Sequence, residues 1–142
     1  MTSAPLQTAQ SLLTVTMLLM RSFSAEMRSG NDRMEPAQLG ILMRLGFGVC
    51  TMSELAEHQS VRLPTISRSV SVLVKAGLVK RWTPEDNRRT TLLDLTPQGR
   101  RKMTNYKKKA ELHVSGILSP LTDAERKQVD AALTTLIKAM TP

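Results

Sequence analysis

A chain of 142 residues, 41% of them hydrophobic, has room for one domain with a real core and is too short for two independent ones. Trp82, Tyr106, Phe23 and Phe47 are its only aromatic residues, so the core falls to Leu, Ile, Val, Met and Ala, and a mainly α class is expected. The lone Cys50 excludes an internal disulfide and a cysteine metal cluster, while the longest apolar stretch, Leu12 to Met20, is broken by Thr14 and Thr16 and is shorter than the roughly 18 residues that span a bilayer.

With no basic start of a secretory signal either, a cytoplasmic protein without a membrane partner is expected. The formal charge of +8 is concentrated: residues 75–109 hold eleven Lys or Arg against Glu85, Asp86 and Asp94, and the remainder is neutral. A polyanion would therefore meet that segment, although a charge run also describes an ordinary solvated face.

In chain order, apolar residues at Leu12, Leu19, Phe23 and Met27, flanked by Leu13, Met17 and Met20, predict an N-terminal helix with a stripe too wide to be buried on one side. Ser29 to Asp32 reads as a break, and Glu35-Pro36 opens a second helix with Leu39, Leu42, Met43 and Leu45 inward, ended by Gly46 to Gly48. Thr51 and Glu54 have capping-box spacing before a short helix, Met52 to His58. After a turn from Gln59 to Leu63, Pro64 is read as the first residue of a fourth helix whose inward stripe is Ile66, Val70 and Leu73, with Gly77 as its left-handed stop.

Leu78 to Thr83 and Thr90 to Leu95 then predict a hairpin whose tip is Pro84 to Arg89. Thr96-Pro97 begins a long helix with Met103, Ala110, Val114, Ile117 and Leu118 on its apolar stripe. A second capping box, Thr122 to Glu125, opens a last amphipathic helix through Val129, Ala132, Leu133, Leu136, Ile137 and Met140. The fold expected is mainly α with a small β-hairpin (α+β), a single domain over 1–142 with a winged helix-turn-helix at 36–97.

That order, two helices across a short turn and then a hairpin, is the arrangement in which the second helix enters the major groove of duplex DNA. Thr65, Ser67, Arg68, Ser69 and Ser71 leave the core stripe free and present short polar groups that allow close approach to base edges. Arg68 is the one long donor, suited either to a bidentate guanine contact or to a phosphate. At the hairpin tip Asp86 lies two residues before Arg88 and is placed to orient its guanidinium, with Arg89 beside it; an oriented tip arginine fits a narrow minor groove. Each feature alone also describes an exposed polar surface.

The ordered set Leu55-Ala56, Pro64-Thr65-Ile66-Ser67-Arg68, Leu73, Gly77-Leu78-Val79-Lys80-Arg81, Asp86-Asn87-Arg88-Arg89 and Leu95-Thr96-Pro97-Gln98-Gly99 resembles the MarR family of bacterial regulators, closely from Pro36 to Lys102. The resemblance implies a homodimer built from helices at 5–28 and 98–140, with Pro64, Thr65 and Arg68 at the major groove, Arg88 in the minor groove and Asp86 as its partner. Arg62, just before the recognition helix, joins the same DNA-binding set. It further implies release by a small aromatic or phenolic anion and a role as a repressor.

Val74 departs from the acidic residue that many relatives carry there, and Cys50 lies away from the cysteine of peroxide-sensing relatives, so it reads as a packed small residue. His58 and His113 lack a second ligand at metal-binding spacing, and no cofactor is expected. No phosphate loop, nucleophile elbow or informative acid pair points to an enzyme. The competing reading is a winged helix that coats chromosomes or docks on proteins.

Overall fold

The computed structural model describes residues 3–28 and 34–141, so the predicted break at Ser29 to Asp32 lies outside the described residues. Two compact units are present, residues 1–108 and 109–142. In the first lie α1 (Ser3–Arg28), α2 (Pro36–Leu45), β1 (Cys50–Thr51), α3 (Met52–His58), α4 (Leu63–Lys75), β2 (Val79–Trp82) and β3 (Leu92–Leu95); α5 (Pro97–Leu118) runs on into the second, which ends in α6 (Asp123–Met140). No helix among the described residues is long and apolar enough to cross a membrane.

The core belongs to the helix-turn-helix and its sheet. Ile41, Leu42 and Leu45 of α2, Leu55 and Ala56 of α3, and Ile66, Val70 and Leu73 of α4 close on Cys50, Leu78, Val79, Leu93 and Leu95. The α4 stripe falls as its spacing predicts. In α2 the expected face is rotated: Ile41 is buried and Met43 is exposed, because the helix meets α4 and β3 along the line of Ile41, Leu42 and Leu45. Among the described residues no polar or charged side chain is buried, so nothing in this core bears the desolvation cost of a charge.

The hairpin strands are shorter than expected and gain a third partner. β3 lies between β1 and β2, all antiparallel, with Cys50 opposite Leu93 and Arg81 opposite the same residue on the other side. A two-residue strand leaves no periodic signal in sequence; β1 exists because Cys50 and Thr51 run past β3 before the Thr51 cap, and the Met52 amide donates to the Thr91 carbonyl at 2.9 Å.

Caps set the helix ends. The Thr51 hydroxyl accepts from the Glu54 amide at 3.0 Å while the Glu54 carboxylate accepts from the Thr51 amide at 2.8 Å. α4 begins one residue earlier than expected, at Leu63, and Pro64 is its second residue, still within the first turn where a missing N–H costs nothing. It ends in a Schellman motif: Leu78 N–H donates to the Leu73 carbonyl and Gly77 N–H to Val74, with Gly77 at φ 74°. α3 ends the same way through Ser60, at φ 53°, and Val61.

Where α4, β3 and α5 meet, Thr96 joins all three. Its hydroxyl donates to the Gly77 carbonyl at 2.5 Å and accepts from the Gly99 amide at 3.0 Å, and its own amide donates to the Leu78 carbonyl at 3.1 Å. Gly99 sits so close to this junction that a Cβ would lie 2.1 Å from the Leu78 carbonyl oxygen.

The second unit is simpler. Ser119 and Leu121 amides donate back into the end of α5, and the Thr122–Glu125 capping box starts α6. Hydrogen bonds from the Thr122 amide and hydroxyl hold the Glu125 carboxyl below its usual range. None of the α6 stripe is fully buried within the chain: Ile137 is 64% and Met140 78% exposed. In α1, likewise, Leu13 is 64% and Met17 72% exposed, and no residue joins the core.

The Gly99 contact is with backbone, which cannot swing aside. Gly99→Ala is therefore expected to lose about 3 kcal/mol in urea denaturation; an unchanged midpoint would mean that the start of α5 yields instead.

Candidate nucleic-acid interface

The surface of α4 divides by its three-to-four-residue period. Opposite the buried Ile66, Val70 and Leu73 stands an exposed ridge of Thr65, Arg68 and Val72, with Lys75 at its end. Arg62 caps the helix through its carbonyl, which accepts from the Thr65 and Ile66 amides at 3.1 Å. Pro64 is exposed beside the ridge. The side chains of Arg62, Arg68, Arg88 and Arg89 make no hydrogen bond or ion pair among the described residues, which leaves their donors available.

The serines do not act as one set. Ser69 is half-buried and donates to the Thr65 carbonyl at 3.3 Å. Ser71 lies on the flank that faces the hairpin, where its hydroxyl accepts from Arg81 Nη1 at 3.2 Å. Ser67, on the same flank, lines a cleft of about 730 Å³ between α3, α4 and the hairpin. Arg81, Trp82 and Arg89 form the hairpin side of that cleft, and Met52 and Leu63 contribute apolar surface.

Arg81 is a residue that the sequence reading missed, although strand period carries the signal. Two residues after the buried Val79, it points to the same sheet face, toward α4. On the opposite face, Lys80 Nζ lies 5.9 Å from the Trp82 ring centroid, and Asp94 takes a fork from Arg100 Nη2 at 3.0 and 3.2 Å. Arg81 thereby ties the hairpin to the recognition helix, a link that no single segment specifies.

At the tip, the expected Asp86–Arg88 pair is absent from the ion pairs among the described residues. Both side chains are exposed, and in water the attraction is offset by screening and by the entropy of holding two mobile groups together. Asn87 orders the tip instead: its amide donates to the Pro84 carbonyl at 3.3 Å, its carbonyl accepts from Thr90 at 3.2 Å, and its side-chain oxygen accepts from the Arg89 amide at 3.3 Å. Arg88 and Arg89 thus occupy the two central positions of the second of these turns, Asn87 to Thr90.

Residues 34–89, which contain α2 through the hairpin tip, match the family model described as MarR family. The winged helix of this chain is similar to that of the MarR family. Over 108 residues the chain is 28% identical to YfiV of Bacillus subtilis (strain 168), described as an uncharacterised HTH-type transcriptional regulator, covering 75% of this chain and 68% of that protein. The crystal structure of RV1404 from Mycobacterium tuberculosis is 25% identical, with a TM-score of 0.78 over 94% of this chain and 92% of that one. FabT of Streptococcus pneumoniae, solved in complex with DNA, is 20% identical and shares the fold, with a TM-score of 0.70 over 94% and 95% of the two chains.

Groups suited to metal binding do not gather: no cluster of three His, Cys, Asp or Glu occurs among the described residues. His58 ends α3 and lies 3.3 Å from the Gln59 side-chain nitrogen. Cys50 is buried under β3, and burial pushes its thiol up, with Arg44 partly opposing and Glu54 and Asp94 adding to the rise. The stability tied to this shift is fully present below pH 9.0, the ordinary thiol value, and is lost as pH rises through the higher folded value. At pH 7.5 Cys50 is expected to react with a soluble aromatic disulfide at least ~100-fold more slowly in the native protein than in urea; equal rates would place the thiol at the surface.

Proposed function

We propose that this chain is a transcription regulator that binds duplex DNA as a homodimer, one winged helix on each half of a pseudo-palindromic operator, and acts as a repressor. The observation that carries the reading is the juxtaposition of an unpaired Arg68 on the exposed ridge of α4 with a hairpin tip that projects Arg88 and Arg89, the two elements tied by the Arg81–Ser71 bond. A helix ridge with one long donor suits the major groove, and a projecting arginine suits the minor groove. The DNA complex of FabT, a protein of the same fold, supports the assignment.

Confinement of the net charge to residues 75–109 adds a second support, since a polyanion then has one segment to meet. The homodimer reading draws on α1 and α6, where apolar residues such as Leu13, Met17, Ile137 and Met140 stay exposed. Residues 36–97 are read as the DNA-binding region, and 5–28 and 98–140 as the dimerisation helices. Of the candidate residues, Arg68, Thr65 and Pro64 are assigned to the major groove and Arg88 to the minor groove, with Arg62 and Arg89 at phosphates. Ser67, Ser69 and Ser71 shape the helix flanks, and Asp86 meets Arg88 only if DNA brings the two together.

Release by a small aromatic or phenolic anion belongs to the same proposal. The cleft beside α4 is lined by Arg81, Trp82, Arg89 and the apolar Met52 and Leu63, and lies against the surface that DNA would use. Benzoate or 4-hydroxybenzoate is expected to lower DNA affinity and, over the same concentrations, to change the fluorescence of Trp82, the one tryptophan. DNA affinity that stays constant through such a titration removes this class of effector.

Footprinting tests the central claim. A protected site with half-site centres about one helical turn apart is expected, whereas protection spread evenly over unrelated fragments would favour chromosome coating. Arg68→Ala should cost about 1–3 kcal/mol of discrimination between operator and random duplex. Arg88→Ala should weaken binding to both and reduce the slope of log affinity against log salt by about 0.9 for each half-site.

A further inference from the structure

Val72 is the one apolar member of the exposed ridge of α4, 52% exposed, one turn beyond Arg68 and two beyond Thr65. A β-branched residue at a solvent-facing helix position forgoes helix propensity relative to alanine or a long polar side chain, with nothing in the chain to compensate. The helix around it has a second peculiarity. Apart from Arg68 and the terminal Lys75, its polar positions are Thr65, Ser67, Ser69 and Ser71, all short, so the backbone can come close to whatever the ridge meets. At that approach a valine reaches as far as a base edge needs.

The major groove offers one apolar group, the C5-methyl of thymine, and small apolar side chains are its usual contacts. We propose that Val72 reads the methyl of a thymine in each half-site, about two base-pair steps from the position that Arg68 reaches. This rests on the DNA-binding reading above and sharpens it. Arg68 and Val72 lie four residues apart on one line of the helix, about 6 Å along its axis, which is close to two base-pair steps. The half-site is then defined by a donor-read position and a methyl-read position in fixed register.

The test uses the full-length protein and a duplex selected by it from a randomised 30-bp pool. In that duplex each thymine is replaced singly by deoxyuridine, which removes the methyl and nothing else. Wild type is expected to lose about fourfold in affinity at one thymine per half-site, the worth of one buried methyl. Val72→Ala, which changes both subunits of the dimer, is expected to bind the methylated duplex about 16-fold more weakly than wild type does, about fourfold for each half-site, and to be indifferent to the uridine at that thymine, so that the two changes are not additive. Val72 is exposed and alanine favours helix, so the variant keeps its fold, checked by thermal melting.

Uridine replacements that are all neutral for wild type overturn the inference while leaving specific DNA binding in place. The same holds if Val72→Ala retains the full methyl dependence. A wild-type protein that enriches no duplex from the pool overturns the inference together with the DNA-binding reading.

Discussion

The distance between Gly99 and the Leu78 carbonyl is the constraint on which the arrangement of the winged helix depends. Because no side chain stands between them, the first turn of α5 lies directly on the start of β2, and Thr96 can reach the Gly77 carbonyl at the end of α4. Segments 19 residues apart, the end of α4 and the start of α5, are thereby held by one hydroxyl and two amides. Such a polar junction works at a half-buried position because every donor and acceptor named is matched. The left-handed Gly77 is part of the same device, since it turns its carbonyl toward Thr96 while ending α4.

From that junction the hairpin departs in a fixed direction, and Arg81 fastens it a second time, to Ser71. The recognition ridge and the hairpin therefore form one rigid surface whose charged groups differ in their duties. Arg81 and Arg100 have partners inside the protein. Arg68, Arg88 and Arg89 have none among the described residues. Total charge does not make this distinction, and the latter set, like Arg62, has its full hydrogen-bonding capacity left for a partner.

Much of this was legible in the sequence because its signals are local. The two capping boxes at Thr51 and Thr122, the Gly77 stop and the α4 stripe each depend on residues within one turn of helix, and each stands where spacing put it. What escaped depends on other segments. β1 is a strand only because β3 lies beside it. Ile41 replaces Met43 in the core because α4 and β3 decide which line of α2 they cover. At the candidate site, Arg68 and the tip arginines were readable as exposed donors, whereas the bond between Arg81 and Ser71 was not, because its partners lie ten residues apart. The Asp86–Arg88 pair failed for a different reason: proximity in sequence does not overcome the mobility of two solvated side chains.

The core stripe of α4, Ile66, Val70 and Leu73, shares no residue with its ridge, Thr65, Arg68 and Val72. Exposed positions of this kind tolerate exchange within about 0.5 kcal/mol of stability. A lineage can thus alter what its ridge presents without first repairing its fold. Gene duplicates of such a chain are free to diverge in target while the scaffold, from the Thr96 junction to the sheet, stays under unchanged selection.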